Sequence, residues 1–172
     1  MGNIFYIRKK NGSLFYGPKV TTINNFLGSE NSNSTSEVIL SSLLIPASSF
    51  TTSDIFTVDA RMRKSGTTGT MTTRIRIGTT QTTADAQVGI FATLTNNIFV
   101  PISRDIKVTS SNGTSEVFSG TTSASLDGAY SGVTLSNISI NWDVDNYISV
   151  TGQLSSASDV MNCMNIYIRQ YK

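Results

Sequence analysis

From Glu37 onward the chain is a succession of segments in which apolar and polar residues alternate, with turn residues between them. Successive side chains of a strand point to opposite faces, so a period of two marks a sheet with one buried side. The clearest instance runs from Ile55 to Ile77. Phe56, Val58, Ala60 and Met62 share one face, and Thr57, Asp59, Arg61 and Arg63 share the other. Beyond Ser65–Thr70, Met71, Thr73, Ile75 and Ile77 alternate against Thr72, Arg74 and Arg76. Gly66 and Gly69 tolerate the backbone of a tight turn, so the two runs are predicted to form a hairpin. Val88, Ile90, Ala92 and Leu94 repeat the pattern, as do Val133 with Leu135, and Ile138, Ile140 and Trp142. Strands are predicted over 38–45, 54–64, 70–78, 86–95, 97–108, 114–119, 133–141, 146–154 and 161–171, with turns at Asn96-Asn97 and Asn112-Gly113. Such a series without a helical period predicts an all-β, antiparallel β-sandwich, in the favoured form a jelly roll of two four-stranded sheets.

The pattern divides the chain into three. Residues 1–27 hold short apolar bursts (Ile4, Phe5, Tyr6, Ile7; Leu14, Phe15, Tyr16) separated by Asn11, Gly12, Gly17 and Pro18. They are too short for a core and suit a small hairpin or an extended arm on another subunit. Residues 28–36, GSENSNSTS, contain no apolar residue and read as a flexible linker. Residues 37–172 are expected to form the β-sandwich domain. Charge follows the same division. The arm carries Arg8, Lys9, Lys10 and Lys19 and no acid, so +4; the remainder sets the other nine of 13 bases against all 11 acids, so −2. A basic arm on a mildly acidic domain implies that the two have different environments. No apolar run is long enough for a membrane span, and the start lacks a signal-peptide core. A Met-Gly-Asn start suggests myristoylation, but Tyr6 stands where that motif wants Ser or Thr.

Chemistry changes this picture little. Histidine is absent, which removes Ser-His-Asp and Cys-His catalysis and the commonest metal ligand. No lysine sits in an S-x-x-K spacing. Paired carboxylates for glycoside hydrolysis would have to meet across a cleft. Asp143 and Asp145 resemble the start of a Ca²⁺ loop but lack its glycine and closing Glu, so a turn is expected. The single cysteine, Cys163, excludes an internal disulfide and reads as a small apolar strand residue. Trp142 reads as core or strand-end packing. No catalytic, metal or cofactor-binding residue is assigned. The one constellation is Arg61, Arg63, Arg74 and Arg76, which on a hairpin would form a basic stripe across one polar face. That stripe is a candidate contact surface for anionic glycans or phosphates, or a solvated or subunit-pairing face. Nucleic-acid binding would require stronger charge and interleaved aromatics.

Three segments together resemble a domain of tailed-bacteriophage virion proteins. They are Leu43-Leu44-Ile45-Pro46-Ala47, the run SDIFTVDARMRKSGTTGTMTTRIRIGT, and the later NWDVDNYISVTGQLSSASD. The resemblance spans residues 38–172 and implies a jelly-roll-like knob at the end of a head fibre, tail fibre or baseplate appendage, commonly a homotrimer. It brings no catalytic residue. The expectation is a non-enzymatic head-fibre or capsid-decoration protein on the outer surface of a virion. Its arm (Ile4, Phe5, Tyr6, Ile7, Arg8, Lys9, Lys10, Phe15, Tyr16) would anchor to capsid or another virion protein, with weak adhesion to host-surface glycans. A receptor-binding tail-fibre tip and a lectin-like carbohydrate-binding module are the alternatives. Partners expected are the chain itself and virion proteins, with no cofactor, nucleic acid or membrane insertion.

Overall fold

Burying one face of every strand at once requires two sheets laid face to face, and that is how the chain folds. The structure is a computed structural model that describes residues 6–8, 14–16, 32–92, 98–110, 112–120 and 133–171. In chain order the strands are β1 (Tyr6–Arg8), β2 (Leu14–Tyr16), β3 (Val38–Ile45), β4 (Ile55–Ser65), β5 (Met71–Gly78), β6 (Ala86–Ala92), β7 (Ile98–Val108), β8 (Asn112–Gly120), β9 (Val133–Asn141), β10 (Asn146–Leu154) and β11 (Val160–Tyr171). β1 and β2 pair with each other as an antiparallel hairpin. The other nine form a four-stranded sheet, β3-β10-β5-β6, and a five-stranded sheet, β11-β4-β7-β8-β9. The antiparallel β-sandwich is therefore as expected, with a fifth strand in one sheet where two sheets of four were anticipated.

The Ile55–Ile77 run is the principal correction. β4 pairs with β11 and β7, whereas β5 pairs with β10 and β6. The two strands lie in opposite sheets, and Ser65–Thr70 is a crossover between them rather than a hairpin turn. Alternation gives each strand a buried face but carries no information about its partner. A five-residue link with two glycines suits either connection. The predicted Asn112-Gly113 turn also moves: both residues already belong to β8, opposite Asn141 and Ile140 of β9. The Asn96-Asn97 turn lies outside the described residues.

Between the sheets, inward residues interdigitate as the alternation requires. From β4 come Phe56, Val58, Ala60 and Met62, from β5 Met71, Ile75 and Ile77, from β10 Ile148 and Val150, and from β11 Met161, Cys163 and Ile166, all buried. A bulge between Cys163 and Asn165 keeps β11 in phase, because it turns Met164 outward and restores Ile166 and Ile168 to the core.

One end of the core is closed by aromatics. Phe50, in the β3–β4 crossover, stacks on Phe56 with centroids 4.1 Å apart. Both meet the Trp142 ring edge-on, at 5.2 and 5.6 Å. The indole N–H donates to the Ser115 hydroxyl at 2.7 Å, so its one polar group is satisfied while the residue is buried. Trp142 is thus a core plug. Trp142→Ala would leave an unfilled cavity at a site framed by rigid rings and is expected to lower stability by about 3–5 kcal/mol in urea unfolding; an unchanged midpoint would show that the aromatic closure contributes little.

Candidate functional site

The polar residues singled out by the pattern separate into three groups, two with structural duties and one without. The first begins at an apolar-phase position. Following Phe56, Val58, Ala60 and Met62 inward, the next inward residue of β4 is Lys64. Its ammonium group is fully buried 2.7 Å from the equally buried Asp159 carboxylate, and it donates to the Gly66 carbonyl at 2.7 Å. Asp159, in the β10–β11 turn, also accepts the backbone N–H groups of Thr68 (3.1 Å) and Gly69 (2.7 Å). The Ser155 hydroxyl accepts the Thr70 N–H at 2.8 Å. Gly66 sits at φ 100°, and a Cβ there would overlap the Asp159 carboxylate, so glycine is required both by conformation and by space. Sequence reasoning missed this cluster. The signal was present, because a lysine on the apolar phase of a strand needs a buried acid.

The second group holds the segment before β3. Arg76, on the outward face of β5, makes a bidentate pair with Glu37 at 2.6 and 2.8 Å and donates to the Asp85 carbonyl at 2.7 Å. Arg74 lies 3.6 Å from the same carboxylate and 3.3 Å from the Gln153 amide oxygen. The Thr151 hydroxyl donates to Glu37 at 2.5 Å. Burial works to raise the Glu37 carboxyl, but the Arg76 and Thr151 hydrogen bonds and the charges of Arg74 and Arg76 outweigh it and hold the group below its ordinary value. Alongside, Ser32 pairs with Met161 in both directions, Leu154 N–H donates to the Ser34 carbonyl at 3.0 Å, and the Gln153 amide donates to the Thr35 carbonyl. Residues 32–36, expected within a flexible linker, are fastened to the sandwich; 28–31 lie outside the described residues.

The four arginines therefore do not form one stripe. Because β4 and β5 belong to opposite sheets, Arg61 and Arg63 face outward from the five-stranded sheet while Arg74 and Arg76 face outward from the other. Arg61 is half-buried, Arg63 is exposed, and neither makes a hydrogen bond or ion pair with a described residue. In register beside Arg63 stand Phe99 on β7 and Asn162 on β11; beside Arg61 stand Pro101 and Asn165. Phe99 is 55% exposed.

The loop at Asp143–Asn146 is a turn held by its own amides. Asn141 Oδ1 accepts the Asp143 N–H at 2.9 Å, and the Asn146 amide donates to the carbonyls of Asn141 and Val144. Asp145 accepts the Ala47 N–H at 2.8 Å, tying this turn to the Ile45-Pro46-Ala47 segment. No group of three or more metal-capable side chains occurs among the described residues. Cys163 is buried, and burial pushes its thiol up to about 12, well away from a reactive thiolate. Of the predicted anchor residues, Tyr6, Ile7 and Arg8 lie in β1 and Phe15 and Tyr16 in β2; Ile4, Phe5, Lys9 and Lys10 lie outside the described residues. No family model, curated protein or solved structure matches the chain.

The Asp159 site carries a pH dependence of known sign. The Lys64 hydrogen bond first, then the Thr68 and Gly69 N–H groups and the Lys64 charge, hold its carboxyl below the ordinary 3.8 despite burial. A depressed folded-state value means that the unfolded chain binds the proton more readily. The stabilisation is therefore complete above the ordinary value and fades as pH falls through the folded one. Urea midpoints measured from neutral pH down through this range are expected to fall steeply for the native chain and less steeply for Asp159→Asn; parallel curves would contradict the assignment.

Proposed function

We propose that this protein is a non-enzymatic structural component of a tailed-phage virion, a capsid-attached head-fibre or decoration appendage on the outer surface of the particle. Its basic arm docks on capsid or another virion protein, and its sandwich projects as a knob, associated with two further copies. One observation carries this reading. The segments that resemble virion appendage domains are the places where the sandwich is closed: Ala47 against Asp145, Lys64 and the Gly66–Thr70 crossover against Asp159, and Trp142 against Phe50 and Phe56. The likeness thus concerns how a knob is built.

The state of the acids supports the same reading. The buried carboxylates Asp59, Asp85 and Asp159 are each engaged in caps or ion pairs with neighbouring side chains or backbone. Their oxygens hold loops and strands together. The arm hairpin β1–β2, with its surrounding positive charge, suits docking by strand addition or on an acidic surface. A tail-fibre tip is the second reading, favoured by the exposed Phe99 on an outward sheet face, since recognition surfaces commonly display such rings.

Deleting residues 1–27 tests the docking. Particles assembled with the shortened chain are expected to lack the protein after gradient purification, whereas the knob alone remains folded; undiminished incorporation would refute the arm as anchor. Gold labelling over the capsid is the expected location, and labelling confined to the tail tip would select the second reading.

A further inference from the structure

We propose that the outward face of the five-stranded sheet, at the end bearing Phe99, Arg63 and Arg61, is a shallow binding site for an acidic polysaccharide. This gives the projecting knob proposed above a ligand and rests on that reading. The face is divided along its length. Towards the Tyr171 end its charges are matched: Asp59 accepts Arg169 at 2.8 Å and the Ser103 hydroxyl at 2.9 Å, Asp105 accepts the Thr57 hydroxyl at 2.6 Å, and Glu116 lies 3.9 Å from Lys107. Towards the other end the acids give out. Arg61 and Arg63 have no carboxylate partner among the described residues, and the carboxylate of Asp159 is buried against Lys64 on the inward side.

Beside these two cations stands Phe99, the most exposed of the large apolar side chains among the described residues at 55%. Across the strands the outward rows read Asn162–Arg63–Phe99 and Asn165–Arg61–Pro101. Adjacent strands lie about 4.8 Å apart and alternate residues about 6.8 Å apart, so the two rows cover about 10 by 7 Å, the footprint of one or two pyranose rings. The ring and the guanidinium groups match parts of an acidic sugar. The ring offers an apolar π face to the C–H face of a pyranose. A guanidinium takes a carboxylate through two parallel N–H groups. Asn162 and Asn165, whose side-chain oxygens are buried, flank the arginines and complete the rows. Other occupants fit less well. A second copy of the same face in a twofold contact would set unpaired arginines against each other. A nucleic-acid strand needs a succession of stacking rings where this face shows one.

A flat site of this size binds weakly alone and gains strength from repeated display. The test uses the full chain and a tetramer of galacturonic acid, followed by saturation-transfer NMR at low ionic strength. Saturable binding with a dissociation constant of about 1 mM is expected, weakened roughly tenfold by Phe99→Ala and by Arg63→Ala and comparably for a neutral galactose tetramer. Phe99→Leu, which keeps apolar cover without a ring, is expected to lose binding while retaining the unfolding midpoint. Lys107→Ala, on the same face among the matched charges, is expected to bind as the native chain does. Absence of saturation, equal binding of the neutral tetramer, unchanged binding by Phe99→Ala, or displacement by inorganic phosphate as effective as by the uronate would each overturn the proposal. The two readings fail separately: Phe99→Ala protein is expected to enter particles normally, so lost incorporation concerns the anchor and lost sugar binding concerns this face.

Discussion

The sandwich depends on one buried ion pair, Lys64 with Asp159. Taking two charges out of water is costly, and their attraction offsets that cost only when every remaining donor and acceptor is also bonded. Here that condition is approached closely: the ammonium group reaches Gly66 as well as Asp159, and the carboxylate receives two backbone N–H groups besides. The pair links two crossovers. The β4–β5 link carries the chain from the five-stranded sheet to the four-stranded one, and the β10–β11 link returns it. Fixing one against the other sets how the sheets meet at that end. An apolar pair would fill the space, but it would not cap the Thr68 and Gly69 amides.

The opposite end solves the same problem with less charge. There the β3–β4 and β9–β10 crossovers are joined by Ala47 N–H on Asp145, by Ser48 N–H on the Trp142 carbonyl at 2.7 Å, and by the packing of Phe50 on Trp142. A two-sheet fold has little chain-local order, and most of its pairings join residues far apart in sequence. Tying crossovers in pairs at both ends gives those long-range pairings a common register. The Arg76–Glu37 pair extends the same logic to the segment before β3, which it holds across the outer face of the four-stranded sheet.

Much of this was legible in the chain. The nine sandwich strands fall where alternation places them, because one face of each is apolar and turned to the core while the other is mainly polar. Trp142, Cys163 and the Asp143–Asn146 turn also take the roles their neighbours imply. Pairing was not legible. Phe56 to Met62 and Met71 to Ile77 look like the arms of a hairpin, yet each strand buries the same face whether its neighbour is the other or not. Once the hairpin is replaced by a crossover, the arginine stripe divides into a latch on one sheet and an unmatched pair on the other. Glu37 and Asp159 were hidden for a different reason: each lies in a polar, serine-rich stretch whose composition resembles linker or turn, and only the fold brings it to its base. Phe99 was hidden by alternation itself, which marks a strand residue as outward but does not say whether a neighbour covers it.

The functional reading follows from where the constraints lie. Among the described residues, Lys64, Asp159, Glu37 and Arg76 fasten the sandwich, while Arg61, Arg63 and Phe99 stand on one outward sheet face. A double-mutant cycle with Lys64→Met, Asp159→Asn and the combined variant measures the coupling between Lys64 and Asp159 directly in urea unfolding. Each single change leaves a buried group without its counterpart, so the combined variant is predicted to lose much less stability than the sum of the two single losses. Strictly additive losses would contradict the claim that this pair holds the two crossovers, and with them the sheets, together.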